Sequence, residues 1–345
     1  MQKFTHIEAL HQVARYIEIT NQTRECPEQH KIRTPVTYRG TVKLHGTNAG
    51  VVCSPDALVV QSRSRVITVE QDNAGFAAWM ADPERITAVR TIEASVRAAA
   101  GLDAATPVTL YGEFVGPGIQ KGTAINGLPT RQWVVFAARL LKEESEHDAG
   151  YLDAIGPFGD AHAAVGIYSV FDAPTHELTV DFELRRTLTE AASQAEELTA
   201  AVEAKCPWGA RFGIEGIGEG LVWTPIGPHW GNTNLYFKTK GEKHKGTKGS
   251  KGAAVQIDPE VLAGIEAFIE FAVTDNRLEQ GLDSLNEQGH TIEMKNMKYF
   301  LQWVGQDVKR ECSSDLEASG LDWKAVSRAL TVKAREFYIE RVRAL

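Results

Sequence analysis

Lys43-Leu-His-Gly46-Thr-Asn48 joins one β-forming run, Val36-Thr-Tyr, to a second, Gly50-Val-Val-Cys53. A lysine followed three residues later by glycine, at a strand end before a tight turn, can present a nucleophilic amine to a nucleotide phosphate. The same spacing describes an ordinary strand-end lysine ahead of a turn formed by Gly46, Thr47 and Asn48, so its meaning rests on the segments around it. Working outward, further short apolar runs that suit strands fall at residues 58–61, 108–111, 133–136, 167–171, 221–223 and 235–237. Helical stretches at 74–81, 83–100 and 184–205 are interspersed among them. The mixture predicts an α+β fold, antiparallel sheets flanked by helices.

The texture changes after the Gly/Lys-rich segment 241–252. Asp258-Pro259 offers an N-cap and a proline at the first helical position, with Val261, Leu262, Ile265, Phe268, Ile269 and Ala272 following at helical spacing. Ile292, Met297, Phe300, Leu301, Val304 and Val308 predict a second helix, and Trp323, Val326, Leu330, Ala334 and Phe337 a third. Residues 1–252 are therefore expected to form one domain and 253–345 a small all-helical C-terminal domain.

Composition bounds the function. The 345 residues are 43% apolar and 24% charged, ordinary values for a globular chain with room for two domains. No apolar run reaches 18 residues and the N-terminus has no apolar signal core, so a cytoplasmic protein without a membrane partner is expected. The four cysteines, Cys26, Cys53, Cys206 and Cys312, form no CxxC pair, which argues against a zinc site or a disulfide framework. A net charge of −8 argues at first against a nucleic-acid partner. Yet Lys238, Lys240, Lys243, Lys245, Lys248 and Lys251 crowd one segment whose only acid is Glu242, so a basic surface can sit on an acidic protein.

The chemistry-bearing residues follow the lysine in order. His45 shares the face of Lys43 if the local chain is extended, where it can meet a leaving pyrophosphate. Arg63 or Arg65, at the end of a hairpin, can fork onto a ribose or phosphate; Arg63 is favoured. Gly112-Glu113-Phe-Val-Gly-Pro-Gly118-Ile-Gln-Lys-Gly122 puts a carboxylate at a strand's mouth before a loop where backbone can approach a ligand, which suits a ribose hydroxyl. Phe136, with Phe171 as rival, can stack on a purine. Glu219, with Glu215 as competitor, can orient a divalent cation, Mg²⁺ by preference through waters. Lys238 and Lys240 alternate on a strand, share one face, and can stabilise phosphate charge beside Lys43.

This ordered set, Lys43-Leu-His-Gly-Thr-Asn48, Arg63, Gly112-Glu-Phe-Val-Gly-Pro-Gly118, Phe136, Glu219-Gly-Leu-Val222 and Lys238-Thr-Lys240, resembles the nucleotide-binding motifs of covalent nucleotidyltransferases. Within them, HGTN after the lysine and GE…GPGIQKG resemble the RNA ligase 2 family of phage and bacterial enzymes, over residues 41–246. The resemblance implies an ATP-dependent ligase acting on RNA 3′-hydroxyl and 5′-phosphate ends, nicked duplexes among them, through lysyl-AMP and RNA-adenylate. Lys43 would carry the AMP, with His45 assisting. Asn48, Arg63, Glu113 and Phe136 would bind the nucleotide, Glu219 would attend Mg²⁺ or Mn²⁺, and Lys238 and Lys240 would hold the α-phosphate. Residues 139–164 read as an insertion between strands.

A P-loop is excluded because Thr247 precedes Lys248, reversing the order that phosphate and Mg²⁺ binding needs. A DNA ligase or capping enzyme shares the lysine chemistry, but usually carries a β-barrel where this chain reads as helices. A non-catalytic RNA-binding relative is opposed by the presence of Lys43, Glu113, Glu219, Lys238 and Lys240 together.

Overall fold

The computed structural model describes residues 2–22, 31–63, 65–72, 74–140, 150–241, 259–318 and 321–343. The chain divides into two compact units, Met1–Gly241 and Glu242–Leu345. The expected boundary after residue 252 and the lysines at 243, 245, 248 and 251 lie outside the described residues.

The first unit runs α1 (Leu10–Gln22), β1 (Val36–Lys43), β2 (Thr47–Cys53), β3 (Leu58–Ser62), α2 (Phe76–Met80), α3 (Pro83–Ala100), β4 (Val108–Val115), β5 (Gln132–Leu140), β6 (Tyr151–Leu152), α4 (Asp160–Ala164), β7 (Ile167–Ser169), β8 (His176–Val180), α5 (Arg185–Ala204), α6 (Pro207–Arg211), β9 (Gly220–Pro225) and β10 (Phe237–Lys240). One sheet has the order β10-β9-β1-β8, all antiparallel. The other has the order β3-β2-β4-β5-β6, with β7 joining β5 in parallel.

Lys43 to Asn48 is where the chain crosses between them. Lys43 ends β1 opposite Gly220 in the first sheet, and Thr47 opens β2 opposite Phe114 in the second. Thr47 and Asn48, expected in the turn, are already strand residues. Gly46 makes the crossing this short, because a Cβ there would lie 2.2 Å from the Phe114 carbonyl oxygen.

Register then sorts the faces. In the first sheet, Arg39, Thr41, Lys43, Val222, Lys238 and Lys240 share one side. Tyr38, Val42, Leu221, Trp223 and Phe237 share the other, in one core with Val13 and Ile17 of α1 and Ala195 and Val202 of α5. In the second sheet, Ala49, Val51, Leu110, Phe114, Trp133 and Val135 pack against Phe76, Met80, Val89, Ile92 and Val96 from α2 and α3. Each such fully buried aliphatic or aromatic side chain contributes about 2 kcal/mol. Helix α3 is delimited by its sequence: the Asp82 carboxylate accepts from Glu84 N, Pro83 occupies the first turn, and Gly101 closes the helix at φ 64°. Asn48 and Glu113, paired in register, project from the opposite face of this sheet.

Residues 139–164 are more than an insertion. Arg139 belongs to β5 and is buried, with its guanidinium donating to the Lys3 carbonyl (3.0 Å), and β6 pairs back onto β5. Residues 141–149 lie outside the described chain.

The second unit is helical: α7 (Pro259–Ala272), α8 (Asp275–Glu287), α9 (Met297–Glu311), α10 (Ser313–Ala318) and α11 (Trp323–Arg343). Its core includes Ile265, Phe268, Leu282, Phe300, Val304, Val326 and Tyr338. Helix α8 was not anticipated, since Leu278, Leu282 and Leu285 are its whole apolar stripe among charged residues. Gly281 lets Phe300 of α9 come close; a Cβ there would lie 2.8 Å from the ring.

Candidate active site

A single buried carboxylate organises the site. Glu219, 2% exposed, places Oε2 at 2.6 Å from Lys43 Nζ and 3.5 Å from His45 Nδ1, while Oε1 lies 3.2 Å from Lys240 Nζ. Burial opposes ionisation of Glu219, but Lys43, Lys240 and a hydrogen bond from His45 outweigh it and hold the carboxyl well below the usual range. Gly220 permits this approach: its φ is 147°, and a Cβ would lie 2.1 Å from the Thr239 carbonyl oxygen. Two lysines around one carboxylate leave an excess positive charge, which suits a phosphate.

Glu113 stands across from this cluster on the second sheet. Its Oε1 accepts from Gly46 N at 3.0 Å, so the turn after Lys43 is tied to it directly. Burial pushes its carboxyl up to about 7, with Lys43 pulling it down, Glu219 pushing it up, and the Gly46 amide and Arg63 lowering it. Asn48 Oδ1, next door in register, is buried with no hydrogen-bond partner among the described residues. An acceptor left in that state fits a ligand donor.

Phe136 occupies a register shift. Tyr111 pairs with Ala137 and Gly112 with Val135, so Phe136 is the extra residue of a bulge, a device that re-aims a side chain. Gly112 belongs to the same irregularity, since a Cβ there would lie 2.4 Å from Trp133 Nε1. The rival Phe171 instead carries the Arg39 guanidinium 5.5 Å from its ring centroid. Arg63 is exposed, with Nη2 3.3 Å from His6 Nδ1, whereas the Arg65 backbone folds back on Ser62 at 2.8 Å. Glu215 is exposed, unlike Glu219. Lys238 shares the face of Lys240, and its main-chain N donates to the Glu8 carbonyl at 2.9 Å.

Some supporting groups carry little sequence signal. Thr239, between the two lysines, points the other way and meets Thr199 Oγ1 of α5 at 2.6 Å and Trp223 Nε1 at 3.1 Å, fixing the strand that presents Lys240. Gln120, inside the Gly/Pro loop, donates to the Gly46 carbonyl at 3.4 Å. Its place in that loop was the available clue.

No group of three His, Cys, Asp or Glu able to hold a metal exists among the described residues. Glu219 is ion-paired within the lysine cluster, and Glu113, the other carboxylate facing it, accepts from Gly46 N. That donor set fits Mg²⁺ arriving on nucleotide phosphates and keeping most of its waters, rather than an ion in a protein cage. Nor is any helix among the described residues long and apolar enough to cross a membrane.

A family model described as RNA ligase matches residues 36–240, the span that holds both sheets and every site residue named above. Similar solved structures include Naegleria gruberi RNA ligase mutants with AMP and Mn (16% identity, TM-score 0.40) and in the apo form (15%, 0.42). The same ligase with PPi matches at 16% identity and TM-score 0.37. The matched region covers 70% of this chain but only 56% of those chains. No curated protein matches the chain. With more than half of its length, and the whole lysine site, inside the family model, the chain belongs to the RNA ligase family.

Proposed function

We propose that the protein is an ATP-dependent RNA ligase that joins RNA 3′-hydroxyl and 5′-phosphate ends through lysyl-AMP and RNA-adenylate. The observation that carries this reading is the convergence of Lys43, His45 and Lys240 on Glu219, with Glu113 and Asn48 facing them from the second sheet.

In the first step Lys43 Nζ, once its ammonium proton has been released, attacks the α-phosphorus of ATP as the neutral amine; the N–P bond forms with loss of a second proton from nitrogen, the bond to the β-phosphate breaks, and pyrophosphate leaves. Glu219 orients the amine, and the two lysines of β10 neutralise charge that builds on the α-phosphate. His45, beside Lys43, sits where it can steady the leaving group. Glu113 takes the ribose hydroxyl, Asn48 accepts a nucleotide donor, Arg63 reaches a phosphate, and the bulge offers Phe136 to the adenine. Mg²⁺ bound beside Glu219 would neutralise phosphate charge. In the second step an oxygen of the RNA 5′-phosphate attacks the AMP phosphorus and displaces Lys43. In the third the 3′-hydroxyl attacks the 5′-phosphorus, its proton is lost, and AMP leaves as the phosphodiester forms. Most of the rate enhancement comes from positioning and charge neutralisation.

Nicked duplex is the substrate this reading favours, since A-form helices are recognised by shape and 2′-hydroxyls. The test compares nicked duplexes with RNA or DNA on the 3′-hydroxyl side. Preferential sealing at RNA is expected; equal sealing of all-DNA nicks would contradict an RNA ligase.

A further inference from the structure

Residues 2–8 form an arm that touches three separate parts of the nucleotide site. At one end Gln2 is clamped to the second sheet: its N donates to Gln61 Oε1 (3.1 Å), and its carbonyl accepts from Gln61 Nε2 (2.6 Å) and from the Tyr111 hydroxyl (2.8 Å). At the other end Glu8 joins the edge of the first sheet. Its N donates to the Tyr236 carbonyl (3.3 Å) and its carbonyl accepts from Lys238 N (2.9 Å), a parallel bridge beside Phe237. The arm thus spans both sheets that frame the cluster around Glu219. Between its anchors, His6 meets Arg63 and Phe4 meets Phe136.

Phe4 is the contact with most substance. It is 8% exposed and packs with Tyr111 and Tyr151. Its ring lies edge-on to Phe136, with centroids 5.0 Å apart and planes at 68°. Phe136 is a bulge residue, so strand pairing alone does not fix where its ring lies. An edge-to-face partner supplies that constraint. Three contacts on three site elements from one seven-residue stretch exceed what capping a sheet edge requires.

We propose that the N-terminal arm is a positioning element of the nucleotide site and that Phe4 is its principal residue, acting through Phe136; this rests on the assignment of Phe136 to adenine. Phe4 itself touches no reacting atom. It sets the ring against which the base stacks, so its loss weakens ATP binding and leaves the chemical step alone.

The experiment is a double-mutant cycle read as KM for ATP and kcat of protein-AMP formation. Phe4→Leu keeps apolar bulk and folding while removing the ring; Phe4→Tyr restores the ring. Phe4→Leu is expected to raise KM by about five-fold with kcat within two-fold, Phe4→Tyr to return KM to the wild-type value, and Phe4→Leu/Phe136→Ala to be no worse than Phe136→Ala alone. Additive effects in the double variant, or an unchanged KM for Phe4→Leu while Phe136→Ala raises it, would overturn the positioning role alone. An unchanged KM for Phe136→Ala would overturn the adenine assignment and the role of Phe4 with it.

Discussion

Glu219 is shared by two lysines: Oε2 pairs with Lys43 at 2.6 Å and Oε1 with Lys240 at 3.2 Å. Removing one partner of a buried ion pair leaves the others uncompensated, at a cost of about 3 kcal/mol. Glu219→Gln is therefore expected to lower the denaturant midpoint of the first unit and, under the proposed function, to cut protein-AMP formation at least about ten-fold. An unchanged midpoint together with unchanged adduct formation would remove Glu219 from the account.

Glu113 sets a pH dependence. Burial raises its folded value from 4.5 to about 7, so between those limits the folded state holds a proton that the unfolded state has released. Its contribution to stability is greatest below about pH 4.5 and declines as pH rises to about 7, by roughly 3 kcal/mol in all. Glu113→Gln, which cannot ionise, should flatten that slope. Urea unfolding at pH 5, 6, 7 and 8 checks it; parallel wild-type and variant profiles would show that Glu113 does not titrate there.

Gly46 is the tightest point of the crossing between sheets. A Cβ would stand 2.2 Å from the Phe114 carbonyl oxygen and 2.7 Å from Val115 Cγ1, so Gly46→Ala must displace either the turn or β4, the strand carrying Glu113. A cost of about 2 kcal/mol is expected, with protein-AMP formation falling further than stability because Lys43 and Glu113 move relative to each other. Thermal unfolding and adduct yield at a temperature where the variant remains folded separate the two effects.

Much of this was legible in the chain. The runs Val36–Tyr38, Val108–Tyr111, Trp133–Phe136 and Leu221–Trp223 carry strong β-formers, and Asp82-Pro83 with Gly101 marks α3 at both ends. Long-range placement was harder to read. That Glu219, rather than Lys238 or Lys240, is the group nearest Lys43 depends on the register of β1 on β9, which no local pattern encodes. Thr47 and Asn48 look like turn residues, yet pairing with Phe114 and Glu113 makes them strand, tertiary contacts outweighing local preference. Helix α1 follows Leu10, Val13 and Ile17 at helical spacing, but its polar majority hid it; α8 was masked in the same way by its charges. The arm of residues 2–8 has no periodicity to find, because its role comes from what it lies against.

The claim that Lys43 becomes covalently linked to AMP is tested most directly by incubating the protein with ATP labelled at the α-phosphate and Mg²⁺, then locating the label. A phosphoramidate survives alkali and is cleaved by acid. A protein-AMP adduct with that behaviour is expected, mapped to the peptide containing Lys43 and absent from Lys43→Ala. No adduct on the wild-type protein, or an adduct that persists in Lys43→Ala, would contradict it.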